Sequence, residues 1–315
     1  MKVKFYAFLL IFIIFFNSSK SNEINFYFDN KYISYKDKFL SELAIKYNGE
    51  LNNFGIIIIG RAFDRKSNYI NAILYYDNEI NRIEIGNYNN ILQYLQAGIV
   101  NISKTTNDND YIFNLDNKIN NIISRPTLLS NQNFGYFDDN IANFNKTKHK
   151  PKVNYILNFN EKLSFGLTFI DKYKIKNEYI YNIYEYGINY YDKIDELNFN
   201  LSFVGENNFK NDFYSYDFGV DFNYYGILLG GNYGNGKNLN KKQYNYYSYG
   251  IGYEIKSLTL SLWHFKGDFD FDNSTNFNIG YNVNKYINIY SEINRFKIKN
   301  KLENSINFGI IIKNL

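Results

Sequence analysis

Apolar and polar residues alternate with a period of two along most of this chain. Val153, Tyr155, Leu157 and Phe159 share one side against Lys152, Asn154 and Asn158. Leu163, Phe165, Leu167 and Phe169 then oppose Ser164, Gly166 and Thr168, after a turn at Asn160–Lys162. Successive side chains on a strand point to opposite faces, so this pattern predicts strands with one greasy and one polar side. The series continues through residues 180–191 and through Leu197, Phe199, Leu201 and Phe203. Phe218, Val220, Phe222 and Tyr224 follow, then 227–233 and Tyr249, Ile251, Tyr253 and Ile255. Leu258, Leu260 and Leu262, then Phe277, Ile279, Tyr281 and Val283, lead to the last segments at 286–294 and 305–313. Five segments come earlier. Ile24, Phe26 and Phe28 share a face; Leu43, Ile45 and Tyr47 oppose Glu42, Ala44 and Lys46; Ile83 and Ile85 oppose Arg82 and Glu84. Residues 69–76 alternate too, while 54–61 is apolar on both sides and leaves its facing open. The count is sixteen.

One stretch, Asn87 to Lys150, breaks the series. It carries an apolar patch (Ile91, Leu92, Leu95), a polar knot at 104–110, Asp138 and Asp139, and Pro126. Irregular connections beyond about 15 residues are uncommon in compact domains and tend to be functional or disordered. From the sixth segment onward, short connections (160–162, 192–196, 225–226, 256–257, 284–285) alternate with long ones (171–178, 205–212, 234–243, 267–274, 295–304). Short turns at one rim and longer loops at the other describe a transmembrane barrel, and the phase puts 87–150 among the long loops.

The segments suit a membrane better than a soluble sheet. They run about 8–12 residues, against about 9–11 for a tilted membrane strand and about 5–6 for the usual soluble one. Sixteen apolar faces are too many for one compact interior, whereas a closed ring of that size encloses water and has no edges. The fold expected is therefore all-β: a transmembrane antiparallel β-barrel with a long third external loop folded into the lumen. Eighteen strands is the runner-up, if 97–103 and 111–116 add a hairpin. A soluble propeller or solenoid is the rival class, and no fixed-period repeat supports it.

The first residues read differently. Lys2 and Lys4 precede twelve uncharged apolar residues, Phe5–Phe16, and small Ser19 and Ser21 follow. That is the pattern of a secretory signal over residues 1–21, leaving 22–315 as a single barrel domain. Three of the 35 Lys and Arg fall before Asn22, so 32 bases face 31 acids in the remainder, which removes any nucleic-acid footprint. No cysteine is present, so packing and strand ladders must hold the fold. Aromatics at 20% fit girdles at the two membrane interfaces, where Tyr190, Tyr191, Tyr224, Tyr225, Tyr253 and Tyr286 end segments.

In its segment order, its leader and its long third loop, the chain resembles the Gram-negative general diffusion porins, more closely those of α-proteobacterial type. Arg82-Ile-Glu-Ile-Gly86 directly before the long loop, and Gly250-Ile-Gly-Tyr-Glu254, carry the local likeness. A departure lies at the end: the last residue is Leu315, where such porins usually end in Phe. The resemblance implies a bacterial outer-membrane location, contact with its lipid, insertion by the outer-membrane assembly machinery, a homotrimer and passage of small hydrophilic solutes and ions. It also implies a transverse field at the constriction, a basic wall facing an acidic loop. Alternation turns Lys46 and Arg82 to the lumen, with Arg61 joining them if its segment faces that way. Asp108, Asp110 and Asp116, with Asp138 and Asp139, supply the loop acids.

Enzyme chemistry finds little support, and no cofactor is called for. His149 and His264 are the only histidines, which starves metal and triad chemistry. Ser261 and His264 sit at odd spacing, on opposite faces of a strand. Gly231–Lys237 matches a phosphate loop by letter, but Asn238 stands where the magnesium-holding hydroxyl belongs. Asp268, Asp270 and Asp272 could hold calcium, though Phe269 and Phe271 between them read as a strand continuing into solvent. Three functional classes stay open: a passive diffusion pore, a substrate-specific channel, and a non-conducting adhesin or structural barrel.

Overall fold

A computed structural model describes residues 21–33, 38–63, 69–78, 80–86, 95, 97–98, 152–175, 178–208, 213–237, 243–267, 273–298 and 301–312. Residues 1–20, all but the last of the expected leader 1–21, lie outside them. Sixteen strands are present among the described residues. The first five are β1 (Ser21–Ile33), β2 (Lys38–Leu51), β3 (Phe54–Phe63), β4 (Tyr69–Asp77) and β5 (Asn81–Gly86). After the long interruption come β6 (Lys152–Asn158), β7 (Leu163–Ile175), β8 (Glu178–Ile194), β9 (Leu197–Asn208), β10 (Phe213–Tyr224) and β11 (Ile227–Lys237). The last five are β12 (Gln243–Ile255), β13 (Leu258–Gly267), β14 (Asn273–Asn282), β15 (Ile287–Ile298) and β16 (Lys301–Ile312). Each pairs antiparallel with its sequence neighbours, and β1 pairs with β16 to close the barrel.

The closure settles which way every residue faces, because directly paired residues share a face. Glu84 pairs with Asn154, Asn154 with Thr168, Thr168 with Glu185, Glu185 with Glu206 and Glu206 with Ser215. That row is polar and buried. Followed through all sixteen pairings, the two faces never exchange. Ile83, Leu167, Phe218, Leu229, Ile251, Leu262, Phe277, Ile306 and Phe308 stand exposed on the other face, which is the outer one. The alternation read from the sequence is therefore a lipid-facing and lumen-facing division. Strand β3, apolar on both sides, now has a register: Gly55, Ile57, Ile59 and Arg61 take lumenal positions, and Ile56 and Ile58 the outer ones.

Ring pairs mark two levels on the outer face. Near the ends that carry the longer connections, Tyr186 and Phe203, Phe203 and Tyr216, Tyr214 and Tyr216, and Tyr247 and Tyr249 lie with centroids 6.2–6.4 Å apart. At the other rim, Tyr190 meets Phe199 at 5.8 Å and Tyr224 meets Tyr225 at 4.6 Å. Tyr214 and Tyr224 are ten residues apart on β10. At ~3.3 Å per residue and a tilt of about 40°, that separates the two levels by about 25 Å, the height of the apolar band of such barrels. Tyr191 is a correction to the girdle: its hydroxyl donates to Asn198 on the lumenal side, so it is a rim residue of the pore mouth.

Turn chemistry fits the short-connection rim. Tyr225 and Gly226 both have positive φ (48° and 82°), the two-residue turn whose twist matches that of flanking strands. Asn160 Oδ1 accepts from the N–H groups of Lys162 and Leu163, and Asn284 Oδ1 does the same for Tyr286 and Ile287. At the opposite rim several strands outrun the expected 8–12 residues; β8 has 17. Paired backbone needs no membrane around it, so these ladders continue beyond the aromatic level and take up residues expected in loops. β5 pairs directly with β6, which leaves no place for an extra hairpin between them and removes the eighteen-strand alternative.

Candidate pore constriction

Two groups of lumenal side chains define the site, one on β4–β7 and one on β8–β12. On the first wall, Arg82 reaches Glu84 through Nε (2.7 Å) and Asp77 through Nη1 (3.1 Å), and its guanidinium lies 4.4 Å from the centre of the Tyr75 ring. Glu84 also accepts from Asn154 Nδ2 at 2.9 Å, and Asn154 Oδ1 accepts from the Thr168 hydroxyl at 2.9 Å. The Tyr75 hydroxyl donates to Asn48 on β2 at 3.2 Å. A buried carboxylate needs paired charge and hydrogen bonds, and Glu84 has both. Arg82 is thus held against the wall with two acids beside it.

The second wall holds the start of the segment that leaves β5. Ala97 N–H donates to Ser202 Oγ on β9 at 2.7 Å, and Gly98 N–H to Asp221 Oδ2 on β10 at 2.7 Å. Asn232 Nδ2 on β11 donates to Ala97 O at 2.9 Å and to Asp217 Oδ1 at 2.8 Å. Asn189 Nδ2 on β8 donates to Leu95 O at 2.9 Å, and the Tyr246 hydroxyl on β12 to Asp217 Oδ2 at 2.6 Å. Leu95, Ala97 and Gly98 are all buried. The floor under them is glycine. A Cβ on Gly219 would come 2.3 Å from Ala97 O, and one on Gly187 would come 3.0 Å from Leu95 Cδ1. Glycine without a side chain is what lets a second backbone lie directly on a sheet. Gly98 itself takes φ +97°, a conformation other residues resist.

The expected site residues divide accordingly. Arg82 is lumenal, as the alternation required. Position 46 on β2 pairs with 59 on β3, and position 61 with 44, all on the lumenal side; the side chains of Lys46 and Arg61 lie outside the described atoms. Asp108, Asp110, Asp116, Asp138 and Asp139 lie outside the described residues. Ser202, Gly219, Asp221, Asn232 and Asn189 were not singled out from sequence. Their signal was present as glycines on the polar face of β7, β8, β10 and β11: Gly166, Gly187, Gly219 and Gly234. Among the described residues, no group of three or more His, Cys, Asp or Glu is arranged to hold a metal ion. His264 faces outward, with Nδ1 3.0 Å from the Thr275 hydroxyl oxygen and its ring against Tyr249.

A closed sixteen-stranded barrel, apolar outside and polar inside, with a connection folded onto its inner wall, is the architecture of the porins. Solved structures agree. A five-substitution mutant of the Rhodopseudomonas blastica porin superposes with a TM-score of 0.59 at 11% identity, over 93% of this chain and 99% of that one. OmpF of Salmonella typhi, solved in complex with daunomycin, gives 0.56 at 12% identity over 93% and 97%. A loop-deleted OmpT, an outer membrane protein of Vibrio cholerae, gives 0.56 at 12% over 93% and 98%. No protein-family model matches the chain, and no curated protein does. The chain has the porin fold at a sequence distance where only the fold is shared.

Proposed function

We propose that this protein is an outer-membrane channel through which small hydrophilic solutes and ions diffuse passively. The observation that carries the proposal is the lumenal docking of Leu95, Ala97 and Gly98 inside a closed barrel whose outer face is apolar. A barrel serving only as an anchor has no use for a connection folded into its own lumen, whereas a channel uses one to set its narrowest section. Bacterial outer-membrane location follows from the same architecture, since a closed antiparallel barrel is the strand-built way to satisfy backbone groups in lipid. Homotrimeric assembly and insertion by the outer-membrane assembly machinery belong to the reading through its likeness to porins. No step of enzyme chemistry is assigned to the lumen.

The test is single-channel recording of the refolded chain in planar bilayers, run beside a gel comparing heated and unheated samples. Stepwise conductance from protein that shifts mobility on heating, and from its oligomeric band, supports the channel. A heat-modifiable barrel that never conducts overturns it. Saturable, blockable conductance would instead favour a substrate-specific channel.

A further inference from the structure

Over half the circumference of this barrel, charge on the lipid-facing side has one sign and one level. From β9 to β16 the register gives outer positions to Lys237, Lys266, Arg295 and Lys297, and to no Asp or Glu. Lys266 and Arg295 are exposed. Lys237, Lys266 and Arg295 stand nine to eleven residues beyond Gly226, Ser257 and Lys285, where the short turns end. At ~3.3 Å per residue and a tilt of about 40°, they lie roughly 23–28 Å above the short-turn rim. That is the upper edge of an apolar band about 25 Å tall.

The edge is sharp. Ile251, Leu262, Phe277, Ile293 and Ile306 pair directly across β12–β16 and form a wholly apolar row, each 42–49% exposed. One pair step toward the longer connections, the same five strands present Tyr249, His264, Thr275, Arg295 and Asn304. The next step brings Lys266, opposite Tyr247. Side chains suited to hydrocarbon therefore give way to polar ones within ~7 Å along the strands. Cations at that depth, with no acid on their own face, complement the negative headgroups of a lipid leaflet. Arginine adds a planar fork that takes two phosphate oxygens at once.

We propose that this face is a docking site for a phosphorylated lipid. Lys266 and Arg295 hold the headgroup phosphate, and the acyl chains lie along the apolar row of Leu262, Phe277 and Ile293. The two cations sit two strands apart, ~10 Å across the sheet, within reach of one headgroup for side chains of their length. The rim of the longer connections faces the cell exterior in outer-membrane barrels, which puts this lipid in the outer leaflet. The site does not depend on what passes through the lumen.

The test is native mass spectrometry of the refolded full chain, released from detergent micelles titrated with dioleoyl phosphatidic acid or with dioleoyl phosphatidylcholine, whose phosphate is offset by choline. Each cation at an anionic headgroup should contribute about fivefold in affinity. Phosphatidic acid should therefore bind at least tenfold more tightly than phosphatidylcholine, and Lys266→Gln with Arg295→Gln should lose at least tenfold of that affinity. Each single variant should lose about fivefold, which keeps the comparison if the double variant gives no heat-modifiable barrel. Lys285→Gln, at the opposite rim, is the control and should lose less than twofold. Millimolar inorganic phosphate should leave the bound lipid in place. Equal retention of the two lipids, or variants that bind phosphatidic acid as the parent does, overturns the site. An equal loss in Lys285→Gln shows diffuse charge attraction and overturns it too. Displacement by inorganic phosphate shows a site for the free anion and overturns the lipid as its occupant.

Discussion

Replacing Gly219 by alanine should lift Ala97 and Gly98 from the barrel wall and raise conductance. The new methyl carbon would lie 2.3 Å from Ala97 O, 2.6 Å from Asn232 Nδ2 and 2.8 Å from the Ala97 carbonyl carbon. Two of these three atoms are backbone, which cannot swing aside as a side chain does. The segment must lift. Lifting breaks the bonds from Ala97 N to Ser202, from Asn232 to Ala97 O and from Gly98 N to Asp221. At about 1 kcal/mol net for each, the docked state loses about 3 kcal/mol, roughly 150-fold in its population relative to the undocked one. Single-channel recording reads this as a larger mean conductance or as new flicker between two levels. Phe218→Leu, on the outward side of the same strand, is the matched control. If Gly219→Ala folds to a heat-modifiable barrel whose conductance and open-channel noise match the parent, the docking contacts do not set the passage, and the reasoning fails.

Three further outcomes follow from the same geometry. Arg82→Gln leaves Asp77 and Glu84 without their shared cation, so the reversal potential under a salt gradient should move toward cation preference. Removing the cation from a half-buried, hydrogen-bonded pair should also cost stability of about 1–3 kcal/mol, read as a lower urea midpoint, and an unchanged reversal potential would take Arg82 out of the constriction. Gly226→Val puts a branched side chain at φ +82°, with its Cβ 2.2 Å from Glu254 O, and should cost more than about 1–3 kcal/mol in folding by the same titration, against no loss if that turn refolds freely. Phe218→Lys places a charge on the lipid face near the middle of the apolar band, expected to destabilise the barrel by about 2–4 kcal/mol in lipid; a neutral result would mean that this face is wet.

How far the sequence alone reached depended on what each residue's neighbours could disclose. Alternation was legible wherever a strand had lipid on one side and polar groups on the other, and Phe218, Ile251 and Ile279 read correctly for that reason. It failed in β3, where Gly55, Ile57 and Ile59 are as apolar as Ile56 and Ile58. Only pairing with Asn48 and Glu50 on β2 and with Tyr75 on β4 decides that strand's facing. The site was less legible than the fold. A positive charge on a polar face reads as a basic wall, and Arg82 was placed on the correct face. Its two acidic partners, one of them two residues along the strand and one at the end of β4, were not paired with it from sequence. The docking residues could not be named, because Ser202, Asp221 and Asn232 look like any lumenal polar residues until a backbone is seen against them. The glycines were the available clue. On a polar face lined by Asn and Ser, a glycine at 187, 219 and 234 gives up strand propensity and packing for no local benefit. Gly234 is covered by the ring of its cross-strand partner Tyr246, and Gly187 and Gly219 by Leu95 and Ala97. What lies over each missing side chain is thus either an aromatic ring from the next strand or the docked Leu95 and Ala97. A search for unpaired lumenal glycines, those with no tyrosine opposite, is therefore a way to find from sequence where a connection comes down onto a barrel wall.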